Sequence, residues 1–265
     1  MRINDSTKTR VTPAFDQISK PENFKHFINF LNAESEVGRV KHKLPIEAVL
    51  KEICYDSGDG KNKEKKKDAP VPFLKVLMNG KDLIDWRALG KIKNKAIREA
   101  RRKLKQAQEK GAEDVIAKAI ANIGKDKTYL FEGKTSPDVC IRTDSYYLLI
   151  EGKLTEPKLT RRTQWVKNRD QLIRHIDAFL DNRDGNGGKP LKVYGLYIIS
   201  GAMKEKYKNQ LADYENDSKY KEWMPHRAGS AKEIMQKSYL GYVTWEDLEQ
   251  FFRQRGIGLN YINPC

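Results

Sequence analysis

Three residues of this chain have the types and spacing to do chemistry together: Asp138, Glu151 and Lys153. Two carboxylates and one ammonium group at one point make a site for a divalent cation with a group that can act on bound water. The letters between them say how they meet. Residues 138–143 and 146–151 are rich in β-branched and aromatic side chains, and Asp144-Ser145 between them is a two-residue turn signal, so a hairpin is predicted. Such a loop pairs Thr143 with Tyr146 and, in the same register, sets Asp138 opposite Glu151. Cross-strand Cβ atoms lie roughly 4.5–5.5 Å apart, where like charges destabilise the sheet, so something positive must sit between the acids. Strand alternation puts Glu151 and Lys153 on one face with Tyr147 and Leu149 while Gly152 points away, which brings the lysine to the carboxylates.

Hard cations such as Mg²⁺ take oxygen ligands, and one or two carboxylates completed by water and substrate phosphate is a usual arrangement. Asp138 and Glu151 fit as direct ligands, with the Gly152 carbonyl as a third. Lys153 beside the metal could orient or deprotonate the attacking water, or stabilise charge developing on phosphoryl oxygens. The competing explanation is an ordinary hairpin in which Lys153 bridges to one acid. Two features argue against it. The acids face each other instead of bases, and Glu151 directly follows the apolar run Tyr147-Leu148-Leu149-Ile150, an odd place for a solvated charge.

Pro137-Asp138, a spacer, then Glu151-Gly152-Lys153 on the next strand resembles the PD-(D/E)XK nuclease superfamily, whose members cut DNA or, less often, RNA with Mg²⁺. The resemblance covers roughly residues 111–200. It implies an α/β fold with a restriction-endonuclease-like core: a mixed central sheet with flanking helices, ordered as a helix, a three-stranded meander, a second helix and a fourth strand. Residues 127–133, centred on Tyr129-Leu130-Phe131, then read as the first strand, the hairpin as the second and third, residues 161–181 as the helix and 192–200 as the fourth strand. The family often supplies another acid from the helix before the first strand. Val115, Ile116, Ala119, Ile120 and Ile123 recur there at helical spacing, and Glu113 shares the face of Ile116 and Ile120 while Asp114 turns towards solvent. Glu113 is therefore the candidate for accessory ligand or base, although the helix dipole alone also favours an acid there. Glu47 is the reserve. Gln171-Leu172-Ile173-Arg174-His175 resembles the Gln-x-x-x-Tyr motif of the exonuclease branch but departs from it at His175, which favours an endonuclease; on a helix Gln171 and His175 share a face.

Lys158, Arg161, Arg162, Lys167 and Arg169, with Gln171, crowd the segment just beyond Lys153 and are read as nucleic-acid contacts. Composition agrees with such a substrate: a net charge of +15 and a pI near 9.5 favour a polyanionic partner. Cys54, Cys140 and Cys265 are too few and too scattered for a disulfide framework or zinc knuckle, which suggests a reducing, cytoplasmic setting. No apolar run approaches the ~18 residues of a membrane span, and the polar start Met1-Arg2-Ile3-Asn4-Asp5 is no signal peptide.

The chain divides into a helical N-terminal region (1–56, with helical candidates at 22–32 and 46–54), a charged linker or loop (57–70) and a nuclease domain (71–265). Residues 91–110 read as a basic amphipathic helix, and 183–190 as a flexible connection between helix and fourth strand. Residues 239–243 read as a strand, followed by a Trp-bearing helix with Thr244 as N-cap and Asp247 three positions on. The expectation is a Mg²⁺-dependent nuclease, with Mn²⁺ substituting, that hydrolyses DNA in restriction, phage defence or mobile-element processing, alone, as a homodimer or with a partner protein. The alternatives are an RNase and a nucleic-acid-binding protein that keeps the fold without catalysis.

Overall fold

Side-chain alternation in one fully buried strand sorts the hydrophobic residues into layers. The computed structural model describes residues 10–55, 65–80, 82–181 and 190–259. In chain order the elements are α1 (Thr12–Ile18), α2 (Pro21–Glu36), β1 (Leu50–Tyr55), α3 (Val71–Asn79), α4 (Lys95–Lys110), α5 (Glu113–Ala121), β2 (Val139–Thr143), β3 (Tyr146–Lys153), α6 (Gln171–Asp181), β4 (Lys192–Ile199), α7 (Lys204–Ala212), α8 (Asp217–Trp223), α9 (Ala231–Ser238), β5 (Tyr239–Thr244) and α10 (Trp245–Arg253). The strands form one mixed sheet in the order β1-β2-β3-β4-β5, antiparallel through β3 and parallel from β3 to β5. Tyr146, Leu148 and Ile150 of β3 pack with α1, α2 and α10 on one face. Tyr147 and Leu149 pack with α6 and the α7–α9 segment on the other. A third cluster, built from α3, α4 and α5 around Phe131, Trp165 and Val166, lies beside these layers. The protein is therefore α/β, a mixed sheet flanked by helices.

The hairpin has the predicted register: Val139 pairs with Ile150, Cys140 with Leu149 and Arg142 with Tyr147. Thr143 closes the turn, its hydroxyl accepting from Tyr146 N at 2.9 Å and Ser145 N at 3.2 Å. At the far edge, Thr244 and Asp247 form the capping box expected for α10. Gly241, with φ +102°, lets β5 pass against the Arg39 carbonyl, where any Cβ would collide.

Three expectations fail, each for a local reason. Residues 46–54 are not helical; from Leu50 the chain is the edge strand β1, paired with β2, and the N-terminal segment thus adds a strand to the main sheet as well as two helices. Residues 127–133 are no strand but begin as a 3-10 turn (Lys127–Tyr129). Their carbonyls are already engaged: Arg101 donates to the oxygens of Lys127, Thr128 and Leu130, and its guanidinium covers Phe131 and Trp165. The helix expected over 161–181 starts only at Gln171, where the Asp170 carboxylate accepts from Ile173 N at 3.1 Å and caps the first turn. Most of the expected 57–70 linker lies outside the described residues, as does the expected connection at 183–190 apart from Pro190. At its described end, Lys67 exchanges both main-chain hydrogen bonds with Thr135.

A buried ion network ties α6 to its surroundings. Arg169, with no exposed surface, donates to Glu132 at 3.1 Å, Asp177 at 2.7 Å and the Trp223 carbonyl at 2.8 Å, and stacks over Phe73 at 3.9 Å. Asp177 also bonds Arg227 at 2.6 Å and His226 at 3.1 Å. Burial pushes the Asp177 carboxyl up, but Arg169, His226 and Arg227 together hold it well below the usual aspartate range. A depressed folded value gives stability that is full above the unfolded aspartate value of roughly 3.9 and is lost as pH falls below it. Asp177→Asn, which strands buried arginines, should therefore cost about 3–5 kcal/mol at neutral pH. In denaturant titrations the gap to wild type should narrow as pH drops below about 4. A gap that is small at pH 7 or constant with pH would contradict this role.

Candidate active site

Glu151 and Lys153 lie at the C-terminal end of β3 on the face covered by α6, and Asp138 reaches the same strand end through Gly152. Glu151 is only 1 % exposed and Lys153 is also buried, so neither charge is shared with solvent. Lys153 Nζ donates to Glu151 Oε1 at 2.8 Å and to Gln171 Oε1 at 3.2 Å. His175 Nε2 bonds the other oxygen, Glu151 Oε2, at 3.1 Å. Gln171 and His175, one turn apart on α6, thus clamp the Glu-x-Lys pair from above, through the shared helical face expected from their spacing. An ionised carboxylate can only accept, so Nε2 carries the proton towards Glu151. The ring's other nitrogen, Nδ1, bonds Thr135 Oγ1, whose hydroxyl can serve as donor or acceptor. Thr135 is itself fixed by its main-chain pair with Lys67, at 2.8 and 3.0 Å.

Asp138 sits half-buried immediately before β2, and its Oδ2 accepts from Gly152 N at 2.8 Å. Gly152 lies opposite Ile198 in the paired part of β3, with Trp245 and Val11 packed where a side chain would be. It points away from the lysine, as alternation requires. Trp245 Nε1 and Ser200 N both donate to the Lys153 carbonyl, which fixes the strand end. Glu156 folds back just beyond, its Oε2 accepting from Leu154 N at 2.7 Å and Thr155 N at 3.0 Å.

The electrostatics follow from this packing. Burial would push Glu151 up, but Lys153 beside it and the His175 hydrogen bond hold it below the ordinary glutamate value. Burial would likewise lower Lys153, yet Glu151 first, then Asp138 and Glu156, raise it. The pair is ionised, and such a lysine is a poor proton acceptor. It suits orientation of a water or stabilisation of developing negative charge better than deprotonation. Asp138 and Glu151 offer hard oxygens of the kind Mg²⁺ takes while keeping water. Among the described residues no group of three or more His, Cys, Asp and Glu side chains is gathered to hold a metal. The chain would thus contribute two carboxylates and leave the remaining positions to water and phosphate.

Other expected site residues lie elsewhere. Glu113 and Asp114 are exposed on α5, beside the third cluster, with no hydrogen bond or ion pair to the site among the described residues; Glu47 is exposed before β1. Arg169 is not available to a phosphate, being enclosed in the ion network. Arg161 is engaged as well, donating to Asp213 and the Gln210 carbonyl and lying 5.2 Å from the Trp223 ring centroid. Lys158, Arg162 and Lys167 are exposed. Thr135, Glu132 and Glu156 carry no signal in the sequence: no periodic pattern marks them, since each lies in irregular chain flanking a strand. Asp170 does carry one that the motif-based reading passes over, because an aspartate one residue ahead of a helical run is an N-cap signal.

The chain matches no protein-family model, no curated protein and no solved structure.

If Thr135 holds His175 against Glu151, Thr135→Val, which keeps the shape and deletes the hydroxyl, should leave Nδ1 without its partner. The expected cost is about 1–3 kcal/mol of stability, the scale of a buried polar group left unsatisfied, read by chemical denaturation. Unchanged stability would show that the contact contributes nothing.

Proposed function

We propose that this chain is a Mg²⁺-dependent nuclease of the restriction-endonuclease-like class that hydrolyses phosphodiester bonds of DNA. The observation that carries the proposal is the convergence of Asp138, Glu151 and Lys153 at one strand end, with a buried ionised Glu-x-Lys pair clamped by Gln171 and His175. The element order supports it. The β2-β3 hairpin is followed by α6 and by β4, the order that the resemblance implies, and β1 lies antiparallel beside β2 in the place assigned to residues 127–133, although α3, α4 and α5 separate the two strands in the chain. The charge of +15 and the exposed Lys158, Arg162 and Lys167 suit a polyanionic substrate.

Asp138 and Glu151 would hold the metal, which when bound supplies Lewis acidity at a phosphoryl oxygen and a more acidic water. The chain's own residues do the rest. Gln171 and Glu151 fix the Lys153 ammonium so that its charge lies where negative charge develops on phosphate. His175, backed by Thr135, keeps the Glu151 carboxylate in one orientation. The dry surroundings of the pair strengthen each of these interactions.

Purified protein should cut supercoiled and linear DNA with Mg²⁺ or Mn²⁺ and not with EDTA, while single-stranded DNA and RNA in parallel define the substrate. Asp138→Asn keeps an acceptor for Gly152 N but removes the charge. It should lower cleavage by about 10²-fold or more, a typical loss for a group acting in the transition state, without weakening DNA binding in EDTA. Binding without cleavage under every metal condition, or a fully active Asp138→Asn protein, would overturn the proposal.

A further inference from the structure

Between Lys153 and Gln171 the chain leaves the site, crosses to the third cluster and returns. The base of this excursion is closed by Gln171 N donating to Thr160 O and Arg169 N to Arg161 O, both at 2.9 Å. Its tip turns at Thr163, whose main-chain N donates to Val166 O at 3.0 Å and whose hydroxyl accepts from Val166 N at 3.0 Å. The tip is fastened to the segment before α4: Asp85 N donates to Trp165 O at 2.7 Å, and Ile84 bridges to Val166. Trp165 anchors it from within, packed edge-on against Phe131 at 5.4 Å. The excursion therefore joins the candidate active site to a second surface.

That surface is concave. A cleft of about 380 Å³ lies between the tip and the 3-10 turn Trp86–Lys91, lined by Asp85, Arg87, Lys91, Arg162, Thr163 and Gln164. Its one acid is already matched: Arg87 grips Asp85 through two hydrogen bonds of 2.7 Å. Lys91 and Arg162 are exposed and have no hydrogen-bond or ion-pair partner among the described residues. Lys167, beside the cleft, is close enough to act on Asp85. The result is a polar hollow with two uncompensated cations, a planar guanidinium donor array and an amide, on a backbone held from both sides. Guanidinium and ammonium groups together suit the oxygens of a phosphate, and a concave surface focuses their field.

We propose that this cleft holds a backbone phosphate of the nucleic acid at a distance from the scissile bond, so that the substrate is a chain reaching from Lys153 along the excursion to the cleft. The position of the scissile bond rests on the nuclease reading above; the phosphate site does not, because it is formed by other residues and needs no metal.

The test is a binding measurement on the full chain in EDTA, with a fluorescent DNA duplex titrated over a range of KCl concentrations. Lys91→Gln with Arg162→Gln should weaken binding and flatten the slope of log K against log salt by about 0.9, the increment for one phosphate no longer neutralised. Lys118→Gln, an exposed lysine on α5, is the control and should leave the slope unchanged. Both cleft positions are exposed, so melting temperatures should stay at the wild-type value and distinguish weaker phosphate binding from a damaged fold. An unchanged slope in the double variant, or an equal change in the control, would overturn the inference. Since no cleavage is read, an inactive enzyme would sink the nuclease reading alone, and an unchanged slope in an active one would sink the cleft alone.

Discussion

A carboxylate withdrawn from water must be met by positive charge and hydrogen-bond donors, or its burial is prohibitively unfavourable. Glu151 imposes that requirement on this fold. Being at the end of the fully buried strand β3, it cannot turn to solvent, and its two oxygens are satisfied from opposite sides, by Lys153 two residues on and by His175 across the layer. Those two contacts dictate much else. Lys153 needs Gln171 at the first turn of α6, α6 needs Asp170 to start it there, and His175 needs Thr135 on the segment leading into β2. The helix that packs most closely on the sheet centre is thereby held in one register against one strand end.

The positive charge of the chain divides into two populations. Arg101, Arg161, Arg169 and Arg174 face inward: they bind main-chain carbonyls or buried acids, and the first three also stand over aromatic rings. They are internal braces: Arg101 and Arg174, on helices, bind carbonyls of the irregular chain at 127–134, and Arg161 and Arg169 fasten the chain between β3 and α6 to the Gln210 and Trp223 carbonyls. Lys158, Arg162 and Lys167 lie in the same stretch of chain but point outward. The excursion from 154 to 170 thus serves twice, closing the third cluster with one set of cations and presenting another.

The local parts of the site could be read from the letters. The register of the hairpin follows from a two-residue turn and the period of two, and the shared face of Gln171 and His175 from the helical period alone. What could not be read depended on partners far off in sequence. The first strand of the meander is at Leu50–Tyr55, separated from β2 by the whole α3–α5 region, while the aromatic run at 129–131, which has strand-like letters, is drawn into the third cluster by Arg101 and Trp165. Glu113 does not take the inward position that the helical wheel gives it: at the first position of α5 it is exposed like Asp114, and the apolar face of that helix packs on α3 and α4 rather than on the sheet. Charge runs failed in the same manner: nothing near Arg169 in sequence announces Glu132, Asp177 and the Trp223 carbonyl together.

The central claim is that Asp138 and Glu151 form a divalent-cation site beside Lys153. Crystals grown with Mn²⁺ and measured at the manganese absorption edge test it most directly. A single anomalous peak between the two carboxylates, within about 2.5 Å of oxygens from both and completed by water, is the predicted result. No peak there at saturating Mn²⁺, with Glu151 still bonded only to Lys153 and His175, would contradict the claim.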